Sequence, residues 1–160
     1  MILILDTGIV GLLCHPRAKQ SRAISAWLSG WLAARVPDFV AYVPEIADYE
    51  LRRKLLHMIR KKQSAPRSVE RLNDLGRVIG YLPITTEAMR LAAELWSDAR
   101  AKGWPTADEA ALDADVILAA QAIVAGGTVV TTNPKHLSRY VATADWTKLP
   151  PPAPRRKGRS

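Results

Sequence analysis

The feature that most constrains this chain is its opening run of four apolar residues, followed directly by an acid. Residues 2–5 read Ile-Leu-Ile-Leu, and Asp6 and Thr7 come next. A short, continuous apolar run predicts a strand buried on both faces, as in a parallel sheet. Ligands bind outside the carboxyl ends of such strands, so we expect the Asp6 carboxylate to lie in a functional crevice. The alternative is that Asp6 only caps a helix beginning near Thr7.

Strand-like and helix-like segments alternate along most of the chain. The predicted strands cover residues 2–5, 39–43, 81–84, 128–132 and 141–144. The predicted helices cover residues 20–35, 44–63, 67–79, 86–102 and 113–125. This alternation predicts an α/β protein, with a three-layer α/β/α sandwich around a mainly parallel central sheet.

Local signals support several of these boundaries. Pro44 fits the first turn of the helix that follows strand 39–43, since proline is favoured at that position. Residues 106–109, Thr-Ala-Asp-Glu, match a helix capping box. Gly126-Gly127 is expected to end the helix that precedes strand 128–132.

Length and composition indicate one domain with a basic tail. At 160 residues, of which 48% are hydrophobic, the chain can form a single core. We expect this domain over residues 1–149 and a disordered Pro-rich, basic tail over residues 150–160. The net charge is +8, and removing the five cations of residues 148–160 leaves +3. This balance favours a nucleic acid partner, although a solubilising tail explains it equally well.

The same composition argues against other classes of protein. Because no apolar run reaches membrane-spanning length and no basic leader precedes the first strand, we expect no membrane association. The single cysteine, Cys14, cannot form an internal disulfide and cannot build a zinc site by itself. We therefore expect a cytoplasmic protein.

Two further acids on predicted helices are candidates to join Asp6. Glu50 borders the apolar stripe of helix 44–63, so its side chain can lean into a crevice at the edge of the core. The alternative for Glu50 is an ion pair with Lys54, four residues on. Glu45 lies in the first helical turn, where the helix dipole already explains an acid.

The third acid is Asp115, which precedes an Ala-rich segment of helix 113–125. On a helix, Asp113 points about 200° away from Asp115, so Asp113 is a secondary candidate or a helix cap. Asp6, Glu50 and Asp115 together predict an oxygen-rich site for a hard divalent cation.

Another polar segment, Thr131-Thr132-Asn133, follows strand residues 128–130. Its hydroxyl and amide groups lie at a second predicted strand end, where they could hold a metal-bound water or a phosphate. A plain turn before Pro134 explains these residues equally well.

Taken together, these segments resemble the PIN-domain nucleases, in particular the VapC-type toxin ribonucleases of bacterial toxin–antitoxin pairs. The resemblance rests on Leu5-Asp6-Thr7, Glu50-Leu51, residues 115–122 and residues 130–137, in that order. It extends over about 140 residues and leaves out only the tail. Each segment alone is a weak signal, whereas four in order are fairly specific.

The resemblance implies an endoribonuclease that depends on Mg²⁺ or Mn²⁺. It implies that Asp6, Glu50 and Asp115 bind the metal and are catalytic, with Asn133 as a further catalytic residue in a supporting role. Thr7, Thr131 and Asp113 are secondary candidates.

The resemblance also implies partners: an RNA substrate, a small antitoxin protein and a second copy of the chain in a homodimer. Arg52 and Arg53, beside Glu50, and Lys135, beyond Asn133, are candidates to hold the RNA backbone. Two alternatives stay open: a housekeeping RNA-processing nuclease of the same fold, and a catalytically silent nucleic-acid-binding module. Retention of three acids disfavours the silent module, because electrostatic RNA binding gains nothing from a carboxylate cluster.

Overall fold

The computed structural model describes residues 1–15, 17, 19–63, 65–104 and 109–153. The elements in chain order are β1 (Ile2–Leu5), α1 (Thr7–Cys14), α2 (Ser21–Ala34), β2 (Val40–Pro44), α3 (Glu45–Arg60), α4 (Pro66–Val78), β3 (Tyr81–Leu82), α5 (Thr86–Ala101), α6 (Glu109–Val124), β4 (Thr128–Val130), α7 (Pro134–Leu137), β5 (Thr143–Ala144) and a 3₁₀ helix (Trp146–Lys148). The predicted capping box at 106–109, apart from the start of α6, and the tail beyond residue 153 lie outside the described residues.

Over the described residues, the strands form one five-stranded sheet in the order β3-β2-β1-β4-β5. All four strand pairs are parallel. The strand β1 is central because Leu3 pairs with Ala41 of β2 on one side and Leu5 pairs with Val130 of β4 on the other. The chain reverses its direction of winding between β1 and β4, so a ligand crevice is expected at the carboxyl ends of these two strands.

Both faces of the sheet are buried, which explains why β1 is apolar throughout. Leu3 and Leu5 face a cluster that includes residues of α1, α2 and α4. Ile4, on the opposite face, joins Leu118 of α6 and Leu137 of α7 in a second cluster. The α/β class and the helix–sheet–helix layering predicted from the sequence are confirmed.

The first strand has its predicted bounds and the second is shifted by one residue, whereas the other three are shorter than predicted. Two of these early ends have an identifiable cause. Prediction extended the third strand to Ile84, but the Ile84 N–H donates to Glu45 Oε2 at 2.6 Å instead of to a neighbouring strand. The fourth strand was predicted to reach Thr132 but ends at Val130. Beyond it, the Asn133 N–H donates to the hydroxyl of Thr131 at 3.0 Å.

The helix predictions were wrong at three places. Helices α1 and α7 were not among the predicted helices, since each is short and follows a strand end directly. The predicted start of α6 at residue 113 is wrong, because the helix begins at Glu109 and Asp113 lies inside it. Pro44 is the last residue of β2 and the N-cap of α3, not part of the first helical turn.

The end of the described chain packs against α2. The carbonyl oxygen of Leu149 accepts hydrogen bonds from the indole N–H groups of Trp27 at 2.6 Å and Trp31 at 3.4 Å. Pro151 lies so close to Gly30 that a Cβ at that position would meet its ring at 2.7 Å. Among the described residues, none of the helices is long and apolar enough to cross a membrane.

Candidate active site

Asp6 follows β1 and occupies the N-cap position of α1, so both predictions for this residue are compatible. Its backbone is extended, and its Oδ1 accepts the Ile9 N–H at 2.7 Å. Burial raises the pKa of Asp6 above its ordinary 3.8, and the charge of Glu50 adds to the rise. Hydrogen bonds from the Thr131 hydroxyl and from the backbone of Ile9 and Gly8 act in the opposite direction. The carboxylate is therefore well oriented but poorly solvated.

Glu50 reaches the same edge of the sheet from α3. Its Oε2 accepts the hydroxyl of Thr7 at 2.6 Å, which joins α3 to the first residue of α1. Its Oε1 lies 3.8 Å from a guanidinium nitrogen of Arg53, three residues on, and the predicted alternative partner was Lys54. Because the Arg53 side chain is 49% exposed, this ion pair is weak. Thr7 therefore orients a carboxylate that is only partly neutralised.

Asp115 approaches from α6, on the other side of the crevice. Burial raises the pKa of Asp115 above 3.8; His136 lowers it, and the charges of Glu50 and Asp6 raise it further. These electrostatic effects indicate that Asp6, Glu50 and Asp115 lie in one region. Asp113 faces elsewhere, because it lines a cleft between α5 and α6 together with apolar residues such as Trp96.

The segment after β4 completes the site with hydroxyl groups. Thr131 is 1% exposed; its hydroxyl accepts the Asn133 N–H at 3.0 Å and lies beside the Asp6 side chain, where it lowers the pKa of that acid. The Asn133 side chain is exposed and has no hydrogen bond with the described residues, so the structure adds no support for its predicted role. The sequence analysis did not select Gly8 as a site residue, yet it lies against the site. A Cβ at this position would lie 3.3 Å from Asp6 Oδ1 and 3.5 Å from Thr132 Oγ1.

The three cations predicted to hold RNA have different surroundings. Arg52 is bound within the fold, since it donates to Asp48 at 2.7 and 2.8 Å and to Asn73 at 3.0 Å. Arg53 lies 5.2 Å from the centre of the exposed Tyr49 ring, beside Glu50. Lys135 is exposed on α7. Of these three cations, Arg53 is the one in contact with a candidate metal ligand, since it lies 3.8 Å from Glu50 Oε1.

One comparison with known proteins shows the family. A family model described as PIN domain matches residues 3–142. The chain belongs to the PIN domain family. A search of curated proteins with the sequence finds no match.

Solved structures with the same fold include several from toxin–antitoxin systems, all of low sequence identity. VapBC2 of Rickettsia felis, bound to a DNA fragment from its promoter, is 19% identical with a TM-score of 0.70, covering 91% of this chain and 99% of that one. VapBC-1 of nontypeable Haemophilus influenzae is 20% identical with a TM-score of 0.69, covering 92% and 100%. VapC20 of Mycobacterium tuberculosis, a sarcin–ricin loop cleaving toxin, is 10% identical with a TM-score of 0.61, covering 88% and 96%.

The donors in this PIN domain fit a hard divalent cation, although they are not arranged as a closed cage. Asp6 and Asp115 form no ion pair with the described residues, so their negative charge is largely uncompensated. Carboxylate and hydroxyl oxygens are the ligands that Mg²⁺ prefers, and Mg²⁺ usually keeps several waters. Within the described residues, no three acidic, His or Cys side chains are close enough together to hold an ion. The arrangement therefore suits a hydrated cation held by a few carboxylates.

Proposed function

We propose that this PIN domain is a metal-dependent endoribonuclease and the toxin of a toxin–antitoxin pair. The observation that carries the proposal is the pair of half-buried acids, Asp6 and Asp115, which lack an ion-pair partner among the described residues and lie within the electrostatic influence of Glu50. Several unpaired carboxylates close together and partly removed from water are unfavourable in a folded protein unless they bind a cation. A purely structural role would not require such a group.

The roles of the individual residues follow from their contacts. Asp6, Glu50 and Asp115 would hold a hydrated Mg²⁺ or Mn²⁺, in part through its bound waters. When bound, the ion activates a water and offsets the charge of the scissile phosphate. Thr7 donates to Glu50, and the Thr131 hydroxyl lies beside Asp6, so each hydroxyl helps to orient an acid. These two contacts bring α1, α3 and the end of β4 to one point.

Similar solved structures support the toxin part of the proposal. Two of them are VapBC complexes, and a third similar structure is a toxin that cleaves the sarcin–ricin loop. By analogy, we propose that the present chain pairs with a small antitoxin protein and cleaves RNA. A homodimer is a further prediction, which the molar mass measured by light scattering would test.

The experiment is cleavage of total RNA and of a defined RNA panel by purified protein with Mg²⁺, Mn²⁺ or EDTA. Asp6→Asn is the informative variant because asparagine keeps the N-cap of α1 while removing the charge. We expect its cleavage rate to fall by about 10²-fold or more. Asp74→Asn is the matched control, since that aspartate is 69% exposed on α4.

Three results would each contradict one part of the proposal: the nuclease activity, the metal dependence or the antitoxin partner. RNA binding without cleavage in any metal would leave a silent binding module. Cleavage that persists in EDTA would exclude the metal site. Cleavage that no co-expressed small protein inhibits would favour a housekeeping nuclease.

A further inference from the structure

A basic aromatic cluster lies beside Asp115, on residues that the sequence analysis did not select. The indole of Trp104, just after α5, packs edge-to-face on the ring of Tyr140, with centroids 5.6 Å apart. Lys102 Nζ lies 4.9 Å and Arg139 Cζ 5.5 Å from the centre of the Trp104 ring. The Trp104 ring therefore contacts two cations from different parts of the chain.

The backbone explains why these residues meet. Gly103 has a left-handed φ of 61°, which lets the chain reverse after α5. The Trp104 N–H then donates to the carbonyl of Ala99 at 3.2 Å. Trp104 and Tyr140 are half-buried and pack against the apolar residues shared by α5 and α6. The two rings are thus anchored in the core, whereas the two cations lie in solvent.

The position of the cluster relative to the acids follows from Tyr140. Burial raises the pKa of the Tyr140 hydroxyl, and the charge of Asp115 raises it further. The Tyr140 ring also packs against the apolar cluster that includes Leu112 and Val116, the residues of α6 on either side of Asp115. The cations next to Tyr140 border the crevice on its α6 side.

The charges suggest what binds there. Lys102 and Arg139 converge on one ring without forming an ion pair with any described residue. Each of them can therefore pair with an anion from outside the chain. The neighbouring carboxylates repel an RNA strand, so a nuclease of this charge distribution needs cations placed just outside the acidic site.

We propose that Lys102 and Arg139, held by Trp104, bind backbone phosphates of the RNA strand as it leaves the crevice on the Asp115 side. This proposal rests on the proposed nuclease function and adds to it a second contact with the substrate. The cations bind phosphate and take no part in the chemical step, and Trp104 positions them.

The test compares Lys102→Gln/Arg139→Gln with Arg77→Gln/Arg90→Gln, which removes the same charge from exposed positions on α4 and α5. Each pair is combined with Asp6→Asn, and binding of an unstructured single-stranded RNA is measured in EDTA. We expect the first pair to weaken binding about tenfold more than the control. The slope of log Kd against log salt should fall by about 1.4, at about 0.7 for each lost phosphate contact.

Cleavage by the same two pairs with Asp6 intact gives a second measurement. The Lys102/Arg139 pair should raise KM with little change in kcat, because it removes binding and not chemistry. Trp104→Leu, which keeps an apolar side chain, should weaken binding by about threefold through loss of the cation–π contacts.

The two proposals fail in distinguishable ways. If the wild-type protein cleaves RNA but both charge pairs have the same affinity and salt slope, the phosphate site is wrong and the nuclease stands. If the wild-type protein cleaves no RNA with any metal, while the Lys102/Arg139 pair still weakens binding selectively, the nuclease proposal is wrong and the phosphate site stands.

Discussion

Two acids on α3, Asp48 and Glu50, lie two residues apart and have opposite surroundings. The Asp48 side chain is 11% exposed and is fully paired with the Arg52 guanidinium, which also donates to Asn73 of α4. The Glu50 side chain is 20% exposed, accepts a neutral hydroxyl and lies 3.8 Å from Arg53.

The difference distinguishes a structural acid from a site acid. Asp48 brings its own cation, so it joins two helices and has no need of a ligand. Glu50, together with Asp6 and Asp115, leaves negative charge at the crevice, and that charge is best neutralised by a bound cation. Three pairs of variants test this contrast.

The largest effect is expected from neutralising Glu50 and Asp48 in separate variants. Glu50→Gln should lower RNA cleavage by about 10²-fold and leave stability nearly unchanged, because glutamine can still accept the Thr7 hydroxyl. Asp48→Asn should lower the free energy of unfolding by about 2 kcal/mol, because it breaks a hydrogen-bonded, largely buried ion pair. Its cleavage rate per folded molecule should stay at the wild-type level.

Urea unfolding and cleavage assays on the same preparations measure both effects. If Asp48→Asn abolished cleavage at full stability, the assignment of Asp48 to the fold and Glu50 to the site would be reversed.

The second largest effect is expected from adding the cation. Mg²⁺ or Mn²⁺ at about 100 times its Kd should stabilise the protein by about 2.7 kcal/mol, which raises Tm by roughly 5–10 °C. The shift should vanish in Asp6→Asn and persist in Asp48→Asn. Calorimetric scans in metal and in EDTA provide this comparison.

The pH dependence of that shift has a defined sign. In the unfolded chain Asp6 and Asp115 titrate near 3.8, whereas in the metal-free folded protein their pKa values are raised. Between the two values the folded state binds more protons, so the free energy of unfolding in EDTA should fall as pH rises through this window. The cation binds the ionised carboxylates, so its stabilising effect should grow over the same range. A shift that is independent of pH would exclude these acids as ligands.

The smallest effect is expected from two glycines of α1. Gly8→Ala places a methyl group 3.3 Å from Asp6 Oδ1, whereas Gly11→Ala meets a Leu51 methyl group at an ordinary 3.9 Å. Both changes favour the helix by about 0.5–1 kcal/mol. Only Gly8→Ala should also disturb the Asp6 carboxylate, with cleavage lowered several-fold. Equal cleavage by the two variants would show that the space beside Asp6 has no role in the site.

The pattern of apolar residues was sufficient to predict the α/β class, because strands buried on both faces must be apolar and amphipathic helices must cover them. The first strand was predicted with its observed bounds, Ile2–Leu5, and its carboxyl-terminal acid lies at the crevice. Strand ends depended on side chains far along the chain: Glu45 accepts the N–H of Ile84 and so ends β3 early, which no local pattern reveals.

The site divides in the same way. Asp6, Glu50 and Asp115 could be selected from the sequence because each acid borders an apolar segment at a strand end or on a helix. Their hydrogen-bond donors, the bond from Arg52 to Asn73 and the convergence of Lys102 and Arg139 on Trp104 all join residues of different elements. Local sequence encodes which segments are buried. Only the packing of those segments decides which buried charges have a partner, because burial and pairing depend on distances between residues remote in the chain.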